Sequence, residues 1–394
     1  MVPLTCKGFT ACGMAAGIKK NGDLDLGLLV SDRPARVAAV FTKNCVQAAP
    51  VKLDRERVKS GITQAVIVNA GNANCANGQQ GLAAAGAMAA AAARALNLPE
   101  NQVLVASTGV IGAPFPIEAV EAAVPALADR LNEKGIPDLA RAIMTTDTRP
   151  KTAVREGSAG GRTYRIAAVA KGAGMIRPDM ATMLCFVITD VDLAISDLQT
   201  ALGLSVDGSF NRITIDGDTS TNDTVIFMAN GAAGGRIESD EDRATFQRLL
   251  DDLCRDLARQ MVKDGEGVTK VVDLTVRGAR SDPDARAIAD TIAHSPLVKT
   301  AFFGEDANWG RIIAAAGRAG VFLDPERLDL YFDDVQMVKN GTGCGPDAEK
   351  KATGVLRKPE FCVTLDLNLG EGTATMLTCD FSLDYVKINA DYRS

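Results

Sequence analysis

Residues 171–184 carry the pattern that most directly suggests chemistry. They read Lys-Gly-Ala-Gly-Met-Ile-Arg-Pro-Asp-Met-Ala-Thr-Met-Leu, with an apolar run that begins at Thr182. Because glycine and proline interrupt regular structure, this pattern predicts a loop directly before a buried strand. A threonine at such a junction can attack the preceding carbonyl, here that of Ala181, in an N→O acyl shift. Hydrolysis of the resulting ester would cut the chain.

Cleavage before Thr182 would place a new α-amine beside the Thr182 hydroxyl. The unperturbed pKa of such an amine is about 7.7–8.0, so near neutral pH it can accept the hydroxyl proton. A threonine hydroxyl paired with its own N-terminal amine is one of the known activated nucleophiles. This arrangement needs no histidine, and the chain has only one, His294.

Two other features favour ordinary structural roles. The tetrapeptide Ala-Thr-Met-Leu recurs at residues 374–377, inside an alternating run with no Gly/Pro loop before it. Alternation predicts a strand, so Thr375 is expected to be a plain strand residue. His294 stands near a predicted helix end before a proline, where a capping or surface role is expected. Spacing alone leaves Thr182 open to both interpretations, nucleophile or strand residue.

The surrounding sequence mixes strands and helices without a regular βαβ series, which favours an α+β fold with a mixed sheet. Strands are predicted at residues 65–69, 102–106, 182–190, 271–277, 328–337, 361–368 and 373–382, with a hairpin over 152–170. Helices are predicted at residues 82–93, 117–131, 137–145 and 241–263. The longest apolar stretch, 82–93, is far shorter than the ~20 residues that span a bilayer.

Composition restricts the partners of this 394-residue chain. Its 43 basic and 49 acidic side chains give a net charge of −6, which lacks the basic footprint of nucleic-acid or anionic-membrane binding. A single histidine excludes multi-histidine metal sites, and the nine cysteines form no C-x-x-C pair. We therefore expect a soluble cytoplasmic protein with reduced thiols and small-molecule substrates, without metal or cofactor.

Six further blocks form an ordered set along the chain. They are Asn-Ala-Gly-Asn-Ala-Asn at 69–74, Ser-Thr-Gly-Val-Ile-Gly at 107–112, Thr-Thr-Asp-Thr at 145–148, and the segments 213–223, 264–270 and 385–393. Together with residues 171–184, they resemble the ornithine acetyltransferase family, the glutamate N-acetyltransferases of arginine biosynthesis. Because the blocks follow the family's order over nearly the whole chain, the resemblance is highly specific.

The resemblance implies a layered αββα-type sandwich with a smaller C-terminal α/β domain. Residues 1–277 would form the catalytic domain, and the tail of residues 278–394 would return to the active site. Self-cleavage between Ala181 and Thr182 would give chains 1–181 and 182–394. Two copies of each chain would associate as a heterotetramer.

The resemblance also implies a reaction and its residues. N2-acetylornithine would acetylate Thr182, and glutamate would then take the acetyl group in a ping-pong cycle. Thr108 and Gly109 would form the oxyanion hole. The implied substrate-binding residues are Thr145, Lys171, Thr182, Glu266, Asn389 and Ser394. A lysine cation suits a substrate carboxylate, and Glu266 could hold a cationic amine. Acetyl-CoA as a second donor is left open by the sequence.

The sequence departs from the family pattern at two positions and leaves two other functions open. Ala307 replaces a usual proline, and the terminal Ser394 replaces a usual threonine but keeps the hydroxyl. One alternative is an N-terminal-nucleophile amidase or aminopeptidase, in which water replaces glutamate as acceptor. The other is a non-enzymatic α/β binding protein that stays one chain.

A denaturing gel together with an intact-mass measurement tests the cleavage prediction. We expect the purified protein to separate into two fragments that meet between Ala181 and Thr182, because the new amine is needed to activate the hydroxyl. A Thr182→Ala variant should stay a single chain of 41.3 kDa. A wild-type protein that also stays at 41.3 kDa would contradict self-processing.

Overall fold

A computed structural model describes residues 2–177 and 183–391 of the chain. Three predicted site residues, Ala181, Thr182 and Ser394, lie outside the described residues. The chain forms two compact units, Met1–Asn211 with Asp218–Met261, and Arg212–Gly217 with Val262–Ser394. The boundary expected between residues 277 and 278 instead falls inside a strand, Val271–Ala279.

The first unit alternates strands and helices. Its strands are β1 (Phe9–Met14), β2 (Leu26–Phe41), β3 (Ile62–Asn72), β4 (Val103–Val110), β5 (Lys151–Ala159), β6 (Arg162–Lys171), β7 (Leu184–Thr189) and β8 (Thr224–Ala229). Its helices are α1 (Ala49–Arg57), α2 (Gly78–Leu96), α3 (Ile117–Ala128), α4 (Ile136–Ala142), α5 (Ile195–Asp207) and α6 (Asp240–Lys263). The described strands pair in the order β4-β3-β2-β8-β7-β6-β5, with β1 on β2.

The long strand β2 connects two layers of this sheet. Residues 26–30 pair with β3 and residues 36–41 pair with β8, with a register shift between Val30 and Ala35. Inward side chains of the β3–β4 layer, such as Val68 and Leu104, share one buried cluster with Phe186 of β7 and Ile226 of β8. The two layers therefore face each other across a common core.

Helices cover the outer faces of both layers. Against β3 and β4 lies α2, whose buried alanines, including Ala85 and Ala89, let the helix approach the sheet closely. On the other layer, Phe246 of α6 stacks on Phe227 of β8 with ring centroids 6.1 Å apart. Since β7 and β8 are covered on both sides, all their residues are buried. The first unit is thus the αββα sandwich that the resemblance implied.

The second unit is a smaller α/β unit with its own sheet. Its elements are β9 (Val271–Ala279), α7 (Asp282–Ala293), α8 (Pro296–Phe303), α9 (Trp309–Gly317), β10 (Asp329–Phe332), β11 (Val335–Lys339), β12 (Thr342–Gly343), α10 (Pro346–Leu356), β13 (Glu360–Asp366), β14 (Gly372–Cys379) and α11 (Leu383–Ala390). The strands pair in the order β12-β11-β10-β13-β9-β14. A single apolar cluster joins this sheet to α7, α9 and α10.

Most predicted elements are confirmed, with two corrections. The strand expected to stop at Ala106 continues as β4 through Thr108 to Val110. The run 328–337 is two strands, because the chain turns at Asp333, whose φ is +49°.

The two predicted bystanders occupy the positions that the sequence indicated. Thr375 lies on the exposed face of β14, with its hydroxyl 2.9 Å from that of Thr275. His294 caps the C-terminus of α7.

Six of the nine cysteines are buried as free thiols, and Cys45, Cys344 and Cys362 are exposed. Within residues 2–177 and 183–391, no helix has the length and apolarity needed to cross a membrane.

Candidate active site

Thr108 and Gly109 lie near the end of β4, where the strand leaves the core. Gly109 has a φ of +129°, and a Cβ at this position would lie 2.4 Å from the carbonyl carbon of Gly71. Only glycine fits this close approach between β3 and β4. The pairing of the two strands is irregular at the same point, between Gly71 and Asn72. This local bulge turns the Thr108–Gly109 segment away from the regular ladder.

Lys171, the last residue of β6, brings a positive charge to Thr108. Its side chain is 3% exposed, and Nζ donates a hydrogen bond to Thr108 Oγ1 over 3.4 Å. A hydroxyl that accepts one hydrogen bond keeps its own proton to donate. The contact therefore leaves Thr108 able to donate toward a substrate oxygen, as an oxyanion hole requires.

Asp147, between α4 and β5, connects the segments that carry Thr145 and Lys171. Its Oδ2 accepts the backbone N–H of Thr145 over 3.0 Å, and its Oδ1 accepts the N–H of Gly172 over 2.8 Å. Gly172 follows Lys171 directly, so one carboxylate holds both predicted substrate-binding residues. The structure thus brings Thr108, Lys171 and Thr145 together in the first unit.

The same carboxylate forms a fully buried ion pair. Lys151 Nζ lies 2.6 Å from Asp147 Oδ1, and both side chains are 0% exposed. Burial alone would raise the pKa of the Asp147 carboxyl, but the charges of Lys171 and Lys151 outweigh it and lower the pKa to about 2. Asp147 is therefore ionised at neutral pH and balances two buried cations.

Two further titratable residues, Asp54 and Lys19, contact the segments around Thr108. The backbone N–H of Val105 donates to both carboxyl oxygens of the buried Asp54, each 3.1 Å from the Val105 nitrogen. This contact gives a hydrogen-bond partner to a backbone group on the edge strand β4. Burial raises the pKa of the Asp54 carboxyl well above its usual range. In the loop between β1 and β2, Lys19 packs against Gly71. Burial lowers the pKa of Lys19, and the Lys171 charge adds to that effect.

In the second unit, Glu266 and Asn389 form a direct contact. Asn389 Nδ2 donates to Glu266 Oε2 over 2.8 Å, and Glu266 is only 7% exposed. The next residue, Gly267, has a φ of +68°, and a Cβ there would lie 2.4 Å from the backbone nitrogen of Tyr385. This close approach seats α11, which carries Asn389, against the loop that carries Glu266.

Sequence reasoning missed several residues of this arrangement. Asp147 belongs to the block at residues 145–148, in which only Thr145 is a predicted site residue. Asn222 and Asp223 also lie in such a block, directly before a strand in which every residue is buried. Polar residues directly before a strand of mostly apolar residues were the pattern in the sequence that could have indicated Asn222 and Asp223. Lys151, Lys19 and Asp54 have no local pattern that marks them.

A family model, the ArgJ family, matches residues 10–394 of the chain. The chain belongs to the ArgJ family. A relative from Geobacter sulfurreducens, named arginine biosynthesis bifunctional protein ArgJ, is 54% identical over 99% of this chain and 100% of its own length. The ArgJ protein of Syntrophotalea carbinolica is 49% identical over 98% of this chain and 99% of its own length.

A solved structure agrees with this assignment. The Bacillus halodurans ArgJ protein, known from a crystal structure, is 42% identical in sequence to this chain. The two structures match with a TM-score of 0.50 over 52% of this chain and 97% of the Bacillus chain. Membership in the ArgJ family confirms the resemblance and makes the protein an acyltransferase of arginine biosynthesis. The interpretation as a non-enzymatic binding protein is therefore wrong.

Removing the Asp147 charge should destabilise the first unit. Asp147→Asn leaves the buried Lys151 ammonium without its counterion, and breaking such a pair costs about 3–5 kcal/mol. Urea unfolding monitored by circular dichroism measures the change. The matched control, Asp147→Asn combined with Lys151→Met, keeps the same amide at position 147 but removes the Lys151 charge as well, so it should cost less than Asp147→Asn alone. A double variant as unstable as the single one would contradict the role of charge.

The pH dependence of stability gives a second measure of the same carboxylate. Its folded pKa of about 2 lies below the unfolded value of 3.8, so its contribution is complete above pH ~4 and is lost as the pH falls toward 2. That contribution corresponds to about 2 kcal/mol. The stability difference between wild type and Asp147→Asn should therefore shrink over this range.

Proposed function

We propose that the chain transfers an acetyl group from N2-acetylornithine to glutamate through an ester on Thr182. The carrying observation is the buried contact between Lys171 and Thr108, beside a glycine whose backbone tolerates no side chain. A hydroxyl and a backbone N–H at the end of one strand are the donors that stabilise a tetrahedral oxyanion. ArgJ-family membership supports this use of the geometry.

The proposed cycle needs no group from outside the protein and its substrates. The Thr182 oxygen attacks the acetyl carbonyl of N2-acetylornithine, and the Thr182 α-amine takes the hydroxyl proton and passes it to the leaving ornithine nitrogen. The amide C–N bond breaks and the acetyl ester forms. The neutral glutamate amine then attacks the ester carbonyl, so that a new amide C–N bond forms and the ester C–O bond breaks. The Thr182 α-amine takes the proton that glutamate loses and passes it to the Thr182 oxygen, which restores the hydroxyl. Thr108 and Gly109 would donate to the oxyanion in both halves.

The remaining predicted residues would bind the substrates. The Lys171 cation and Thr145, held by one carboxylate, suit a substrate carboxylate. Glu266, with Asn389 against one of its oxygens, suits the cationic amine of ornithine. Ser394 remains a predicted substrate contact from the resemblance.

The cleavage between Ala181 and Thr182 is part of the same proposal. The structural match to the Bacillus halodurans ArgJ protein includes 97% of that chain but only 52% of this one. Residues 182–394 make up 213 of the 394 residues, a similar share. A solved ArgJ chain of about half this length supports the proposal that this chain is cleaved near its middle. The heterotetramer and the cytoplasmic location remain predictions from the resemblance.

Dependence on glutamate tests the reaction. With N2-acetylornithine and glutamate as substrates, we expect the protein to form N-acetylglutamate and ornithine in equal amounts. Mass spectrometry measures both products. Without glutamate, acetate should not accumulate beyond slow hydrolysis. Acetate release at the same rate with and without glutamate would indicate the amidase alternative. The same assay with acetyl-CoA in place of N2-acetylornithine tests whether acetyl-CoA is a second donor. Acetyl transfer by a Thr182→Ala variant would refute the assignment of Thr182 as the nucleophile.

The Thr108 hydroxyl should matter to kcat. Thr108→Ala removes one oxyanion donor, and such a loss typically costs about 10²–10³ in kcat. Steady-state kinetics on the processed protein measures it. Thr108→Ser keeps the hydroxyl and should retain most of the activity. Equal losses in the alanine and serine variants would point to packing of the Thr108 methyl group instead.

A further inference from the structure

Two adjacent buried residues at the entrance of β8, Asn222 and Asp223, contact the two segments that the reaction requires. Asn222 is 6% exposed and Asp223 is 1% exposed. Their side chains leave the backbone on consecutive residues and reach different parts of the first unit. Neither residue belongs to the predicted catalytic or substrate-binding set.

The side chain of Asn222 holds the strand that carries Thr108. Its Nδ2 donates to the carbonyl of Ser107 over 2.8 Å and to that of Ala73 over 2.6 Å. Its Oδ1 accepts the Thr221 hydroxyl over 2.7 Å, which fixes the orientation of the amide group. The Ser107 carbonyl belongs to the peptide group that joins Ser107 to Thr108. Asn222 therefore holds the main chain immediately before the oxyanion donors.

The side chain of Asp223 holds the other segment. Its Oδ1 accepts the N–H of Met183 over 3.1 Å, while the Met183 carbonyl accepts the N–H of Thr224 over 3.0 Å. Met183 follows Thr182 in the sequence, so its N–H belongs to the peptide group that joins Thr182 to Met183. This group stays with the Thr182 side of the chain after cleavage between Ala181 and Thr182.

The surroundings of the Asp223 carboxyl are buried, and the main chain beside it is also hydrogen-bonded. The Asn222 carbonyl accepts the Thr224 hydroxyl over 2.9 Å. Burying a carboxyl group is costly unless it is hydrogen-bonded. Burial raises the pKa of the Asp223 carboxyl well above its usual range, although the Met183 hydrogen bond opposes the rise. The neighbouring Thr42 and Ser220 hydroxyls and the charge of Lys171 also oppose the rise.

We propose that Asn222 and Asp223 act together as positioning residues, which fix the distance between the Thr108–Gly109 donors and the Thr182 nucleophile. This inference rests on the proposed function of Thr182. Asn222 acts as a donor to the peptide group before Thr108, and Asp223 acts as an acceptor from the peptide group after Thr182. A misplacement of about 1 Å between reacting groups can cost about 10²-fold in rate.

The opposite hydrogen-bonding needs of the two positions give a sharp test. Asp223→Asn keeps an oxygen for the Met183 N–H and should retain kcat within about threefold, whereas Asp223→Ala should lose about 10²-fold. At position 222 a donor is required, so Asn222→Asp should be as impaired as Asn222→Ala. KM for both substrates should change little in all four variants, because none of the side chains is placed on substrate.

A control variant separates positioning from a general loss of stability. Asp190, at the opposite end of β7, is also buried and accepts two backbone N–H groups, those of Lys7 and Arg165, over 3.0 and 2.8 Å. Asp190→Ala should lower the melting temperature about as much as Asp223→Ala but leave kcat unchanged. All rates are normalised to the fraction of processed chain, measured by intact mass.

Each outcome decides the proposal. A folded Asp223→Asn with kcat as low as that of Asp223→Ala would overturn it, as would a folded Asn222→Asp with wild-type kcat. If Asp223→Ala fails to fold, the Asn variant and the position-222 pair still decide. A wild-type protein that neither cleaves nor transfers acetyl groups would instead remove the proposed function itself. Those two failures are therefore distinguishable.

Discussion

The buried positive charge of Lys171 is the constraint on which the rest of the site depends. An ammonium group that is only 3% exposed is tolerated when it is paired and hydrogen-bonded. Asp147 supplies the opposing charge, but its carboxylate is itself buried and needs further donors. Those donors are Lys151 and the backbone N–H groups of Thr145 and Gly172. One buried cation thus determines the course of the chain from α4 into β5 and at the end of β6.

The layered fold explains how residues so distant in sequence can meet. Thr108 lies near the end of a strand of one layer, whereas Lys171 ends a strand of the other, and β2 runs through both layers. The apolar cluster between the layers ends where these strands end, and the polar side chains gather there. Lys171 and Thr108 are 63 residues apart but in direct contact. A sandwich with a tightly packed core holds such a contact more rigidly than a surface loop would.

Apolar periodicity predicted most of the strands and helices, because burial on one or both faces determines it. The extension of β4 through Thr108 was not predictable, since Ser107, Thr108 and Gly109 are typical of a turn when read locally. The turn at Asp333 was hidden by the apolar residues on either side. In the site, the resemblance supplied Thr108 and Lys171. The function of Asp147 depends on Gly172, 25 residues away, and no local pattern encodes that contact.

The ionised Asp147 also affects what Lys171 could do in the proposed reaction. A carboxylate with a pKa of about 2 stays charged at neutral pH, and it places a negative charge beside Lys171. A charged lysine is a hydrogen-bond donor and a partner for carboxylates, but it cannot accept a proton. In the proposed mechanism the base must therefore be another group. His294 caps a helix in the second unit, with its Nδ1 2.7 Å from the Asp290 carbonyl oxygen. In that mechanism, an α-amine created on Thr182 would supply the base that neither Lys171 nor His294 provides.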